Sequence, residues 1–172
     1  MMNDFVIDEN ILYDAWRGKG KDGKKNYTDK AFLYLFLDSD KKLAITPYIQ
    51  GRYFFISNQT LGDKQYVDVT IIPSFMQRMR DGTRTNLHTG LTPKYKHIKQ
   101  GDDEFVCVTI FVKGNLVTKD GRLEKEIEKE GLKNRVNFYD VAKAIQLLVN
   151  YNFYSSHVKI KSIYAWFEAK NE

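Results

Sequence analysis

Cysteine is almost absent from this chain: Cys107 is the one thiol in 172 residues. No internal disulfide can therefore close a loop, and a zinc centre built from paired cysteines is excluded. Histidine is scarce as well. His88, His97 and His157 lack the spacing of zinc ligands, and no Ser-His-Asp or Cys-His set can be assigned from spacing. Long apolar runs are missing too; none approaches the roughly 20 residues that cross a bilayer as a helix. The N-terminal residues carry Asp4 and Asp8 in place of the basic-then-apolar pattern of a secretory signal. The expectation is a cytoplasmic protein with no membrane attachment, in which Cys107 is a buried structural thiol.

What the chain does have is an ordinary globular balance, 42% hydrophobic and 28% charged residues, in a length that suits one domain with a real core. The formal net charge of +5 agrees with a polyanionic partner. Its distribution says more. Basic residues gather in three stretches that read as loops or helix ends: Arg17, Lys19, Lys21, Lys24 and Lys25; Arg78, Arg80 and Arg84; and Lys94 to Lys99. The first stretch is rich in glycine and reads as a flexible loop. It imitates a phosphate-binding loop through Gly18-x-x-x-x-Gly23-Lys24. The imitation fails at Lys25, which stands where a Ser or Thr would hold Mg²⁺, and no strand runs into the loop.

Periodicity lays out alternating strands and helices. Residues 4–8 read as a buried strand, followed by a short helix over 11–16 and a capped helix over 28–38. Residues 43–45 form a short strand. Thr46-Pro47 suits an N-cap followed by Pro at the first helical position, opening a helix to about Ser57. On it, Tyr48, Tyr53, Phe54 and Phe55 read as core and rim. Residues 69–80 are helical, with a start that Pro73 can delay, and 81–101 is a long loop. Downstream come a helix over 122–130 stopped by Gly131, a strand over 136–138, the cap Asp140 and a helix over 141–149. Such alternation implies an α/β domain whose mainly parallel sheet is covered on both faces. That domain is residues 1–149, with basic insertions at 17–27 and 81–101. Residues 150–172 form an extension whose aromatics need a partner, either the domain or a second copy of the chain.

The stretch from Phe105 to Val112 is ambiguous. Its composition is β-rich, and Lys113-Gly-Asn115 suits a hairpin turn, which propensity slightly favours. Against this, the run is apolar on both sides, and Asp102-Asp103 suits a helix start.

The acids carry the functional lead. If residues 4–8 and 116–118 are parallel strands, Asp8 and Asp120 stand at their carboxyl ends, where open α/β sheets place ligands. A helix from Asp103 to Lys113 would run antiparallel to the strand after it. About ten helical residues span roughly 15 Å and four strand residues roughly 13 Å, which returns Asp103 to the level of Asp120. Three carboxylates at one edge repel one another unless a cation neutralises them, and oxygen-only donors suit Mg²⁺ or Mn²⁺. Simpler roles exist for some of them: Asp102 and Asp103 as N-caps, Asp120 as a turn residue before Gly121. Glu9 and Glu104 read as solvent-facing.

Four segments, Phe5-Val-Ile-Asp8-Glu-Asn10, Asp102-Asp103-Glu-Phe-Val106, Gly114-Asn-Leu-Val-Thr118-Lys-Asp120 and Val136-Asn-Phe-Tyr-Asp140, resemble in order and spacing the PIN domain, a family of metal-dependent ribonucleases. The resemblance covers about residues 4–149. It implies a three-layer α/β/α domain and a helix, not a hairpin, over the ambiguous stretch. It further implies a site holding Mg²⁺ or Mn²⁺ through Asp8, Asp103 and Asp120, with Asp102 reaching a second ion and Asn10 and Thr118 orienting ligands or water. RNA is the implied substrate, its backbone guided by Arg17, Lys19, Lys21, Lys24, Lys25, Arg78, Arg80 and Arg84. Family habit adds a homodimer and, for the toxins of toxin–antitoxin pairs, an antitoxin partner. The chain departs from the pattern once. Gly51 or Arg52 stands where the family carries a Glu, which weakens divalent-metal binding and offers the Arg52 guanidinium to a phosphate. Asp38 and Asp68 are acids that would restore the count. The function implied is a divalent-metal-dependent endoribonuclease; the alternative is a catalytically impaired PIN-like protein that binds RNA or a protein partner.

Overall fold

The computed structural model describes residues 4–17, 28–62, 71–85 and 95–151. Lys19, Lys21, Lys24, Lys25, Asp68 and the 152–172 extension lie outside these. In chain order the elements are β1 (Asp4–Ile7), α1 (Glu9–Arg17), α2 (Thr28–Asp38), β2 (Lys42–Ile45), α3 (Pro47–Gly62), α4 (Ile71–Arg80), β3 (Thr83–Arg84), α5 (Asp102–Val112), β4 (Asn115–Val117), α6 (Gly121–Lys129), β5 (Asn137–Tyr139) and α7 (Val141–Tyr151). The five strands are all parallel, in the order β3-β2-β1-β4-β5, and helices cover the sheet as a three-layer α/β/α domain.

The strand order follows from apolar content. Phe5, Val6 and Ile7 are wholly buried, as a strand must be when it lies mid-sheet with helices on its faces. From β1 the chain moves outward through β2 to β3, then returns to β4 on the other side of β1. Such a reversal of strand order is where open α/β sheets place their ligands. The register places Ile7 opposite Val117, so Asp8 and Thr118 leave the sheet side by side.

Residues 102–112 are helical, as the resemblance implies and contrary to the hairpin that composition favours. The helix α5 packs against β1, β2 and β4, and every residue from Asp103 to Thr109 is buried. Burial against a sheet outweighs the modest intrinsic preference of Val, Thr and Ile for strands. Glu104 is buried too, which corrects its reading as solvent-facing. Two glycines make the helix fit. Gly101 adopts φ +100°, and a Cβ there would lie 2.7 Å from the Tyr48 hydroxyl; a Cβ at Gly114 would lie 2.8 Å from the Asp4 carbonyl oxygen. The left-handed turn and close approach at Gly101 both require a missing side chain.

Two further corrections concern the segment from 78 to 101. Thr83-Arg84 is not loop but a two-residue strand beside Ala44-Ile45, too short to show any alternation in sequence. Arg78 is not offered to solvent for RNA. It donates to the carbonyl oxygens of Phe36 (3.2 Å), Leu37 (2.6 Å), Ser39 (3.0 Å) and Lys41 (2.5 Å), and its guanidinium lies over the Phe36 ring. The last carbonyls of α2 lack helical partners, and a planar, five-donor cation can satisfy several at once. Arg78→Gln is therefore expected to lower stability by about 1.5–3 kcal/mol, the range for hydrogen bonds to a charged group. The neighbouring exposed Arg80→Gln should shift it by less than about 0.5 kcal/mol. Urea denaturation of both variants checks the contrast.

Candidate functional site

The site is built from the ends of β1 and β4 and the starts of α3, α5 and α6. The Asp8 amide still donates to Val117 (3.0 Å), and the Thr118 amide to Tyr139 (3.1 Å), so the ladder continues one residue past each strand. This rigid footing aims the side chains. Thr118 Oγ1 donates to Asp8 Oδ2 at 2.8 Å and accepts from the Asp120 amide at 3.0 Å. Asp8 Oδ1 accepts from the Asn10 amide at 3.2 Å. Thr118 thus orients Asp8 through its hydroxyl, whereas Asn10 contributes through its backbone while its side chain is exposed. Beneath them the wholly buried Tyr53 donates its hydroxyl to the Ile7 carbonyl, tying α3 to the end of β1.

Asp8 is 9% exposed, and its pKa is pushed up to about 7. Burial is the largest cause and the charge of adjacent Glu9 the next, while the bonds from Thr118 and Asn10 pull the other way. Glu9 itself is not solvent-facing; its side chain is 12% exposed. Its Oε1 accepts from Arg52 Nε (3.1 Å) and Nη2 (2.6 Å). Its Oε2 is buried with no hydrogen-bond donor in reach. Arg52, read from sequence as a phosphate ligand, is engaged by this acid.

The second half of the site is held by Arg122. Asp120 caps α6, accepting from the amides of Arg122 (3.0 Å) and Leu123 (3.3 Å), so its role as a turn residue is real. Its other oxygen lies 3.1 Å from Arg122 Nη2, and the same nitrogen lies 2.9 Å from Asp102 Oδ2. Arg122 Nη1 reaches Glu126 at 2.6 Å. Burial raises the pKa of Asp102, and Arg122 only partly offsets it. Neither Asp102 nor Asp103 is the N-cap of α5; that position is Gly101. Asp103 is buried in the first turn and accepts from the Gly101 amide at 3.0 Å, a place where the helix dipole also favours an anion.

Two residues matter here that the sequence did not single out. Tyr48 stands over Gly101. Burial raises its pKa; Arg52 opposes this, while Glu9, Asp102 and Asp103 add to it, so its phenol links the two halves. Its signal was its place just after Thr46-Pro47, at a helix start on the carboxyl edge. Lys119 has no such signal. Its ammonium contacts both Asp14 and Asp29, the latter at 2.5 Å. Burial depresses the lysine, but the two carboxylates outweigh that and its pKa rises. It ties the Thr118–Asp120 turn to α1 and α2.

Among the basic residues, Arg80 and Arg84 are exposed, two strands from β1, roughly 10 Å away. Arg17 lies over the Tyr13 ring at 5.0 Å. Asp38 does not join the acids but lines a separate cavity with Tyr34, Ser74 and Arg78.

Whether these groups suit a divalent cation can be judged from their chemistry. All donors at the edge are oxygens, Asp8 is penalised as an anion, and Glu9 Oε2 has no donor; a hard cation would relieve both conditions. Among the described residues no three Asp, Glu, His or Cys side chains converge on one point, and arginines pair with Glu9, Asp102 and Asp120. No protein-family model, curated protein or solved structure matches this chain.

Asp8 keeps its proton more tightly folded than unfolded, so its contribution to stability falls as pH rises from about 4 to about 7. Asp8→Asn cannot ionise. In chelator-treated protein it should gain on wild type across that window, by a few kcal/mol at most. Parallel stability–pH curves from urea denaturation would overturn the assignment.

Proposed function

We propose that this chain is a PIN-type endoribonuclease that uses Mg²⁺ or Mn²⁺ at the carboxyl edge of its sheet. The observation that carries this reading is the Asp8–Glu9 pair: a buried carboxyl at the end of the central strand, aimed by Thr118 and raised to about 7. Burying such a carboxyl costs stability once it ionises, and acids with perturbed pKa values cluster at functional sites. The topology agrees, since the pair lies at the strand-order reversal where α/β sheets bind ligands.

Asp8, Asp103 and Asp120 would hold the cation, with Asp102 and Glu9 as further oxygen donors; Glu9 supplies the acid that Arg52 displaces from the family's helix position. Bound there, a divalent cation lowers the pKa of water and neutralises charge on a transferring phosphoryl group. Thr118 keeps Asp8 oriented, and Asp120 is fixed by the two α6 amides it caps. Lys119 secures the turn between them. RNA is the substrate that the family resemblance implies, and the net charge of +5 and the exposed Arg80 and Arg84 agree with a polyanion. A polyanion would be drawn to such a surface in a salt-dependent way.

One observation favours a catalytically impaired RNA-binding protein instead: Arg52 and Arg122 already neutralise Glu9, Asp102 and Asp120. Two measurements separate the readings. Calorimetric titration with Mn²⁺ is expected to give saturable binding that is lost in an Asp8→Asn/Asp120→Asn double variant. Cleavage of single-stranded RNA should require the metal and fall at least about 100-fold in the same variant, on the scale of removing a central electrostatic contribution. RNA retention without metal-dependent cleavage, by a wild type that binds no Mn²⁺, would decide for the impaired protein.

A further inference from the structure

We infer that Arg122 is a built-in plug of the acidic site, whose guanidinium must swing away before a divalent cation can use Asp102 and Asp120 together. The inference rests on the metal-binding reading above and adds its regulation. One nitrogen, Nη2, is hydrogen-bonded to both carboxylates, at 2.9 and 3.1 Å. It occupies the place between two acids that a bridging cation would take, and two positive charges cannot share it.

The geometry lets the plug leave without disturbing the fold. The Arg122 side chain is 49% exposed, whereas those of Asp102 and Asp120 are each 29% exposed, so the guanidinium covers the acids from the solvent side. Its own amide stays bonded to Asp120 Oδ1, which fixes the backbone and leaves the side chain as the moving part. Glu126, one turn along α6, holds Nη1 at 2.6 Å and can retain the guanidinium at the rim. There the same group is placed to meet a phosphate, which a planar guanidinium suits. Lys119 offers the contrast. Its side chain is 27% exposed and is held by two buried acids, so it braces the site from below and does not compete for it.

Exposed ion pairs of this kind are worth only a few-fold each, because solvent screens them. Two such pairs opposing metal binding predict that removing the guanidinium tightens Mn²⁺ by about tenfold, or ~1.4 kcal/mol. The test is calorimetric Mn²⁺ titration, without RNA, of wild type, Arg122→Gln, Arg122→Met and Lys125→Gln. Arg122→Met keeps the aliphatic stem and helix propensity, guarding against a fold defect specific to Gln. Lys125→Gln removes one positive charge from an exposed position on the same helix. The expected result is about tenfold tighter binding in both Arg122 variants and near-wild-type binding in Lys125→Gln. Equal, saturable binding in wild type and the Arg122 variants would overturn the plug while leaving the metal site standing. Equal tightening in Lys125→Gln would reduce the effect to net charge and overturn it as well. Absence of saturable binding in all four folded proteins would remove the metal site and the plug together.

Discussion

The carboxyl edge depends on one constraint, the burial of β1 between β2 and β4. Phe5, Val6 and Ile7 have no solvent-facing side, so the strand can lie only mid-sheet, and Asp8 must emerge where β1 and β4 end together. The backbone bond from Asp8 to Val117 and the side-chain bond from Thr118 to Asp8 follow from that register. A one-residue slip would reverse the faces of both strands and part the acid from the threonine. Hydrophobic burial thus supplies the force that holds a carboxyl where it resists ionisation.

Charge is balanced differently in the two layers of the site. Below the edge, Lys119 meets Asp14 and Asp29, both nearly inaccessible. Losing Lys119 would leave both buried carboxylates without their cation, a penalty of several kcal/mol. At the rim, the Arg122 guanidinium is about half exposed and its acids partly so, where pairs contribute about 0–1 kcal/mol; Arg52 is as exposed but its partner Glu9 is largely buried. The inner network therefore holds the turn that carries Thr118 and Asp120, while the outer one exchanges easily.

Much of the fold was legible locally. The Thr46 side chain caps α3 by accepting from the Ile49 amide, Asp140 caps α7, and Gly131 takes the positive φ of a helix end. Each depends on residues within a turn of one another. The failures were of another kind. Composition misread α5 because its strand-forming residues are overruled by contact with the sheet. Glu104 looked exposed because nothing in its neighbours announces a helix buried all round. Arg78 sat in a basic cluster, yet it serves carbonyls of Phe36 and Leu37 some forty positions earlier.

The sequence by itself determined the order of strands and helices apart from β3 and α5, the mainly parallel architecture, and the acids Asp8, Asp102, Asp103 and Asp120 as the residues to watch. Those follow from apolar periodicity, caps and strand ends, which short segments encode. Only the tertiary structure decided which charges meet. Glu9 pairs with Arg52 across 43 positions, Lys119 with Asp29 and Asp14 across 90 and 105, and Arg122 bridges Asp102 to Asp120. Ion pairing falls off within a few ångströms in water, so it depends on where packing brings side chains together, and no local pattern of residues carries that distance.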